Sequence, residues 1–193
     1  DISARITAKI LGIELNEIPG WVCCGATPAH ATHQYLSLSL PVKNLAAAKK
    51  SGSSEVAVCC AACFNRLKVS NHIVATDKEK REKINEALND NYRGDIAVKH
   101  FLEIVVKDYG LDKIAGRLKK SLNGLKVACY YGCLLVRPQK IMQFDDAENP
   151  MMLDNLVSTL GGEAVDWPYK TECCGANFSL TTPDIVLKLG NDI

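Results

Sequence analysis

The sequence has no excess of charge of either sign. Lys and Arg total 23 against 22 Asp and Glu, for a formal net charge of +1 and a pI near 7.7. That balance gives no electrostatic case for nucleic acid or an anionic membrane as partner. No stretch approaches the roughly 18–20 consecutive apolar residues of a transmembrane helix, so direct membrane insertion is not expected. Residues 1–20 carry Asp1, Glu14 and Glu17 and lack the apolar core of a signal peptide; the chain reads as soluble and cytoplasmic. Glycine-rich phosphate loops are absent, and with them any nucleotide or flavin motif.

What the sequence does contain is cysteine. Nine are present in 193 residues, with vicinal pairs at 23-24, 59-60 and 173-174, in a chain too long to need disulfide staples. Neighbouring cysteines do not readily close a disulfide with each other, because the bond demands a particular Cα separation and dihedral, but both can bind one metal centre. Thirty-four residues separate Cys23-Cys24-Gly25 from Cys60-Ala61-Ala62-Cys63, and Cys-x-x-Cys is metal-ligand spacing. The pattern recurs, since thirty-nine residues lie between Cys133 and Cys173-Cys174-Gly175. Reduced thiols serving a soft metal or cluster fit this arrangement better than a secreted disulfide framework.

Periodicity predicts a helix over 2–11 with Ile2, Ile6, Ile10 and Leu11 on one face and Gly12 as its stop. An alternating strand over 13–18 follows, and Pro19-Gly20 turns the chain toward Cys23. Residues 29–50 read as largely helical despite Pro41, and a strand over 55–59 delivers Cys60 and Cys63 to the start of the next helix. The charged stretch 76–91, with Ile84 and Leu88 at helical spacing, reads as a solvated amphipathic helix. A short strand over 96–100, helices to 109 and over 110–120, a strand over 125–131, a long loop, a helix over 151–160 and a strand over 163–167 complete the chain.

Leu11-Gly12-Ile13-Glu14 and Leu160-Gly161-Gly162-Glu163 share Leu-Gly-x-Glu, and each is followed at the same offset by Pro (Pro19, Pro168) and then by Cys-Cys-Gly. This is an internal duplication. It predicts an α/β fold of two tandem, duplicated units with mostly parallel sheets and ligand cysteines at strand ends, one unit over 1–120 and the other over 121–193. By the same logic the first unit lacks a cysteine upstream of Asp1 and the second a Cys-x-x-Cys downstream of Ile193, so the chain is expected to be clipped at both ends.

These motifs resemble the B subunits of heterodisulfide reductases and the cysteine-rich CCG-domain family. The resemblance rests on Trp21-Val22-Cys23-Cys24-Gly25-Ala26, Cys59-Cys60-Ala61-Ala62-Cys63-Phe64-Asn65-Arg66-Leu67, Lys126-Val127-Ala128-Cys129-Tyr130-Tyr131-Gly132-Cys133-Leu134 and Glu172-Cys173-Cys174-Gly175-Ala176. It implies two noncubane [4Fe-4S] clusters in the full-length protein. Cys23, Cys24, Cys60 and Cys63 would bind the first, and Cys133, Cys173 and Cys174 the second. The clusters would flank a small-molecule disulfide, coenzyme M linked to coenzyme B in methanogenesis, and split it by one-electron transfers. The implied partners are a small iron–sulfur subunit and a flavin-containing subunit.

Two other readings stay open on the residues alone. One is an electron-transfer CCG subunit of a glycolate-oxidase or succinate-dehydrogenase type complex. The other is a structural zinc module, which Cys23, Cys24, Cys60 and Cys63 suffice to close. His30 and His33, three apart just after the first Cys-Cys-Gly, are weak candidates for proton donors and are more simply surface histidines; His72 and His100 have no motif around them. Trp21 and Trp167 read as packing around a buried cluster. Cys59 and Cys129 read as buried small hydrophobes, and Gly25 and Gly175 as positions where the backbone must bend.

Overall fold

The computed structural model describes residues 2–26, 29 and 32–193. The chain divides into two compact units, residues 1–101 and 102–193. The first contains α1 (Ile2–Leu11), α2 (Gln34–Lys50), β1 (Glu55–Val58), α3 (Ala61–Thr76), α4 (Lys78–Leu88) and β2 (Ala97–His100). A helical turn at Phe101–Glu103 leads into a π-helical segment, Ile104–Gly110. The second unit continues with α5 (Leu111–Arg117), β3 (Lys126–Ala128), α6 (Cys133–Val136), α7 (Gln139–Met142), α8 (Met152–Thr159), β4 (Glu163–Val165) and α9 (Pro183–Asp192).

In the first unit β1 and β2 pair in parallel, with Glu55 opposite Ala97 and Val58 opposite His100. Alternating burial along β1 turns Val56 and Val58 inward, and Val98 does the same on β2. The buried stripe of α2, comprising Val42, Leu45, Ala46 and Ala48, packs on Phe64, Leu67 and Val74 of α3, and Ile84 of α4 closes the core. Phe64 is fully buried, which stabilises the fold by about 1.5–3 kcal/mol. Pro41 lies within α2 without dividing it.

In the second unit β3 and β4 also pair in parallel, Lys126 opposite Glu163 and Ala128 opposite Val165. The core gathers Val105, Ile114, Tyr131, Val136, Met142, Phe144 and Met152. The division falls at 101/102 rather than at 120/121. The segment between these two points belongs to the second unit: α5 packs on α8, and the Lys107 ammonium donates to the Phe144 carbonyl at 2.6 Å.

The duplication is visible in the backbone. At the end of α1, Gly12 N–H bonds to Lys9 O and Ile13 N–H to Ala8 O; at the end of α8, Gly161 N–H bonds to Ser158 O and Gly162 N–H to Val157 O. Both are the Schellman pattern, and Gly12 and Gly161 supply its left-handed residue at φ +74 and +81. The two repeats diverge at the expected strands. Residues 13–18 are extended but form no ladder, because no strand stands beside them among the described residues, whereas the matching Glu163–Val165 has β3 to pair with. The apolar face of α1 forms as expected but is exposed, Ile2 by 77%, with Ala8 as the buried contact.

Candidate metal centre

In each unit the cysteines come from two loops, and specific backbone contacts hold those loops. Cys60 caps the N-terminus of α3 directly after β1, and Cys63 sits in the first turn. The other loop, carrying Cys23 and Cys24, is fastened by Asn44 of α2: its side-chain oxygen accepts from Val22 N–H at 2.8 Å and its amide donates to the Val22 carbonyl at 2.8 Å. Gly25 follows at φ +68, and a Cβ there would come within 2.7 Å of the Ala29 methyl and 2.8 Å of Leu40. Glycine is therefore required twice over, by conformation and by space.

The outcome is a close group of thiols. The Cys24 and Cys63 sulfurs stand 2.9 Å apart with both cysteines free, and Cys60 is near enough to hydrogen-bond to Cys63. The pair shares a proton. The hydrogen bond from Cys63 draws the Cys24 thiol down to about 6 against the opposing effect of burial, while the Cys63 thiol is pushed up by that hydrogen bond, by burial and by neighbouring sulfur charge. Cys23 is exposed, its sulfur accepting from Gly25 N–H at 3.4 Å.

In the second unit Cys133 opens α6, preceded by Gly132 at φ +67. Tyr131 and Gly132 N–H both donate to the Lys170 carbonyl, at 2.9 and 3.0 Å. The Trp167 indole donates to the Cys129 carbonyl at 2.9 Å, and the Tyr130 hydroxyl to the Glu172 carbonyl at 2.7 Å. The exit of β3 is thus laced to the run into Cys173-Cys174, and Gly175 turns the chain at φ +71. Burial, then a hydrogen bond with Cys173 and its charge, push the Cys133 thiol up to about 11. Burial, then a hydrogen bond with Cys174 and the charge of the Cys174, Cys133 and Cys173 sulfurs, push the Tyr130 phenol up to about 12.

Under this loop lies a buried ion pair. Lys170 and Asp154 side chains, 5% and 4% exposed, meet at 2.8 Å. Asp154 also accepts from the Tyr131 hydroxyl at 2.6 Å, and the Tyr131 oxygen accepts Leu153 N–H at 2.7 Å. Each charge is paired and hydrogen-bonded, which a buried pair requires.

The structure brings the Cys24 and Cys63 sulfurs together, with Cys60 beside Cys63, in one unit and sets Cys133 beside Cys173 in the other; Cys23 is exposed. Among the described residues no three cysteine, histidine or acidic side chains are poised around a single ion. Two groups of soft, reduced sulfur donors, each on glycine-turned loops, suit iron–sulfur ligation by their chemistry. His30 lies outside the described residues. His33 is not on a helix face; it is the extended N-cap of α2, and its Nδ1 accepts from Leu36 N–H at 3.3 Å. Cys129 is buried as expected but Cys59 is exposed, because it leaves β1 on the outward side. Trp21 is 59% exposed and donates to Glu17 at 2.8 Å rather than packing over the thiols.

Sequence reasoning missed Asn44, Tyr130, Tyr131, Asp154 and Lys170. Asn44 carried a signal, a polar residue on the buried stripe between Pro41, Val42 and Leu45. The others carried none, since their partners are brought to them only by the β3–β4 pairing.

The chain matches the cysteine-rich domain (CCG) family twice, over residues 3–68 and 127–191. It belongs to that family. It is 30% identical over 194 residues, 99% of this chain, to the 8-methylmenaquinol:fumarate reductase membrane anchor subunit of Wolinella succinogenes, covering 66% of that protein. It is 29% identical over 178 residues, 90% of this chain, to the B subunit of the ferredoxin:CoB-CoM heterodisulfide reductase of Methanosarcina mazei, covering 59% of it. To a protein of Archaeoglobus profundus described as like the B subunit of heterodisulfide reductase it is 30% identical over 199 residues, covering 98% of this chain and 65% of that one. The chain thus spans 59–66% of the length of these relatives. No helix among the described residues is long and apolar enough to cross a membrane.

Proposed function

We propose that this chain is the iron–sulfur electron-transfer subunit of a cytoplasmic reductase complex, and that its reaction is the splitting of a small-molecule disulfide into two thiols. The observation that supports this most directly is the recurrence of the thiol group, once per unit, on matching loops of a duplicated domain. Cys23, Cys24, Cys60 and Cys63 would hold one noncubane [4Fe-4S] cluster and Cys133, Cys173 and Cys174 the other. Each cluster would supply one electron at a time and an iron site for sulfur. An S–S bond accepts two electrons and two protons to give two thiols, which two one-electron centres match. Electrons would arrive from a small iron–sulfur subunit and a flavin-containing subunit.

The relative named as a fumarate reductase membrane anchor subunit, matched over 99% of this chain, favours a second reading, in which the clusters relay electrons to a partner enzyme without disulfide chemistry. The full-length complex, purified anaerobically, separates the two. With a low-potential donor and CoM-S-S-CoB, the first reading expects two thiols released per disulfide and a change in the cluster EPR on adding product thiol. Neither response, in a complex that still oxidises a quinol or reduces its partner, would leave the relay. Colourless protein containing zinc and no iron would overturn both.

A further inference from the structure

A cavity of about 360 Å³ opens in the first unit between the first turn of α2 and one face of α3, a volume suited to a small organic molecule. His33, Gln34 and Ser37 line it from α2, Arg66 from α3 and Lys80 from α4, with Val69 and Ile73 as an apolar wall. No carboxylate is among the described residues that line it.

Arg66 is the telling group. It is half-buried, and burial weakens its hold on its proton, with the Cys24 sulfur as the opposing influence. Among the described residues no hydrogen bond or ion pair to its guanidinium is found. Lys80, by contrast, is already engaged by Asp77 at 2.9 Å. His33 accepts through Nδ1, so its neutral ring carries a proton on Nε2. A guanidinium drawn partly out of water is stabilised by a counter-charge, and the described residues that line the cavity offer it no carboxylate.

We infer that this cavity is an oxyanion-binding subsite, in which Arg66 is the principal ligand to a carboxylate or phosphate group carried on a short aliphatic stem. The fork of the guanidinium suits either group, His33 and Gln34 add neutral donors, and Val69 and Ile73 receive the stem. Which molecule brings the oxyanion rests on the proposed redox function; the recognition of the oxyanion does not.

The test is calorimetric titration of the full-length protein, clusters intact and ionic strength fixed, with inorganic phosphate and separately with succinate. The wild type is expected to bind one or both saturably at one site per chain; phosphate alone or succinate alone identifies the favoured group. Arg66→Gln should weaken binding at least tenfold, and Arg66→Lys should keep most of it. Ser37→Glu supplies an internal carboxylate to Arg66 and should abolish binding without lowering Tm, which decides the matter if Arg66→Gln does not fold. Lys119→Gln, on the surface of the other unit, should bind as wild type. The inference is overturned if wild type binds neither probe, if both cavity variants bind as tightly as wild type, or if Lys119→Gln loses affinity equally. A protein that binds these anions yet reduces no disulfide keeps the subsite and loses the disulfide reading.

Discussion

At the scale of single residues, the distinctive event in the metal-free protein is the sharing of one proton by two sulfurs. Cys24 titrates near 6 because Cys63 donates to it, and Cys63 is held protonated. Unfolded, both thiols titrate near ~8.5. From about pH 6 to that value the folded pair holds one proton and the unfolded chain two, so metal-free stability rises with pH across this window. Above it the unfolded thiols lose their protons while Cys63 keeps its own, and stability falls again. Ultraviolet thiolate absorbance should therefore show a step near pH 6 that is lost in Cys24→Ser and in Cys63→Ser; a wild type titrating only at ordinary thiol pH would show that the proton is not shared. The buried pair in the second unit makes a different prediction. Asp154→Asn or Lys170→Met leaves one buried charge without its partner and should cost about 3–5 kcal/mol. Replacing both with apolar residues should recover much of that loss. Urea denaturation followed by Trp167 fluorescence reads this directly, and equal losses in the single and double variants would count against the pair.

At the scale of elements, each thiol group is only as ordered as the two loops that meet there. In the first unit the tie is Asn44, whose side chain is hydrogen-bonded to both backbone groups of Val22. Asn44→Ala removes both bonds and leaves Val22 unsatisfied, at about 1–3 kcal/mol. Iron content of the purified protein should fall with it, whereas Asn16→Ala, also a lost hydrogen bond but at an exposed site, should leave iron unchanged. The elements themselves were largely legible in the sequence. The helix ending at Gly12, the strand before Cys60 and the amphipathic helix around Ile84 follow from period and punctuation, which are local. Residues 13–18 show where local reading stops: their alternation is that of a strand, but a strand exists only through its neighbour. Cys59 and Trp21 failed similarly, since a side chain's inward or outward direction depends on which face of β1 or of a loop the core occupies. Arg66 sits within a cysteine motif, yet nothing in its surroundings along the chain announced that its guanidinium would have no ion-pair partner among the described residues.

At the scale of the whole molecule, duplication predicts two independent metal sites. Cys24→Ser or Cys63→Ser should lower iron per chain by about half and leave the signal of the second unit, while Cys173→Ser or Cys174→Ser should do the converse; loss of all iron in either variant would mean a single shared centre. The repeat was readable because Leu-Gly-x-Glu and Cys-Cys-Gly keep their offsets, and the matching Schellman turns at Gly12 and Gly161 show the same geometry built twice. The boundary between units was less readable, because α5 is tied to the second unit by contacts with α8 that no linker composition signals. The contact between Cys24 and Cys63 also has a consequence for folding. These residues lie 39 apart in the chain, and a metal centre that joins them ties off a loop of that length in the unfolded ensemble. By the chain-entropy relation for cross-links, closing such a loop is worth about 4 kcal/mol at 25 °C, and Cys133 with Cys173 encloses one of nearly equal size. Iron insertion is in these terms a topological clamp on each repeat, so a cell short of iron should lose this protein to proteolysis of open loops before it loses it to slow turnover.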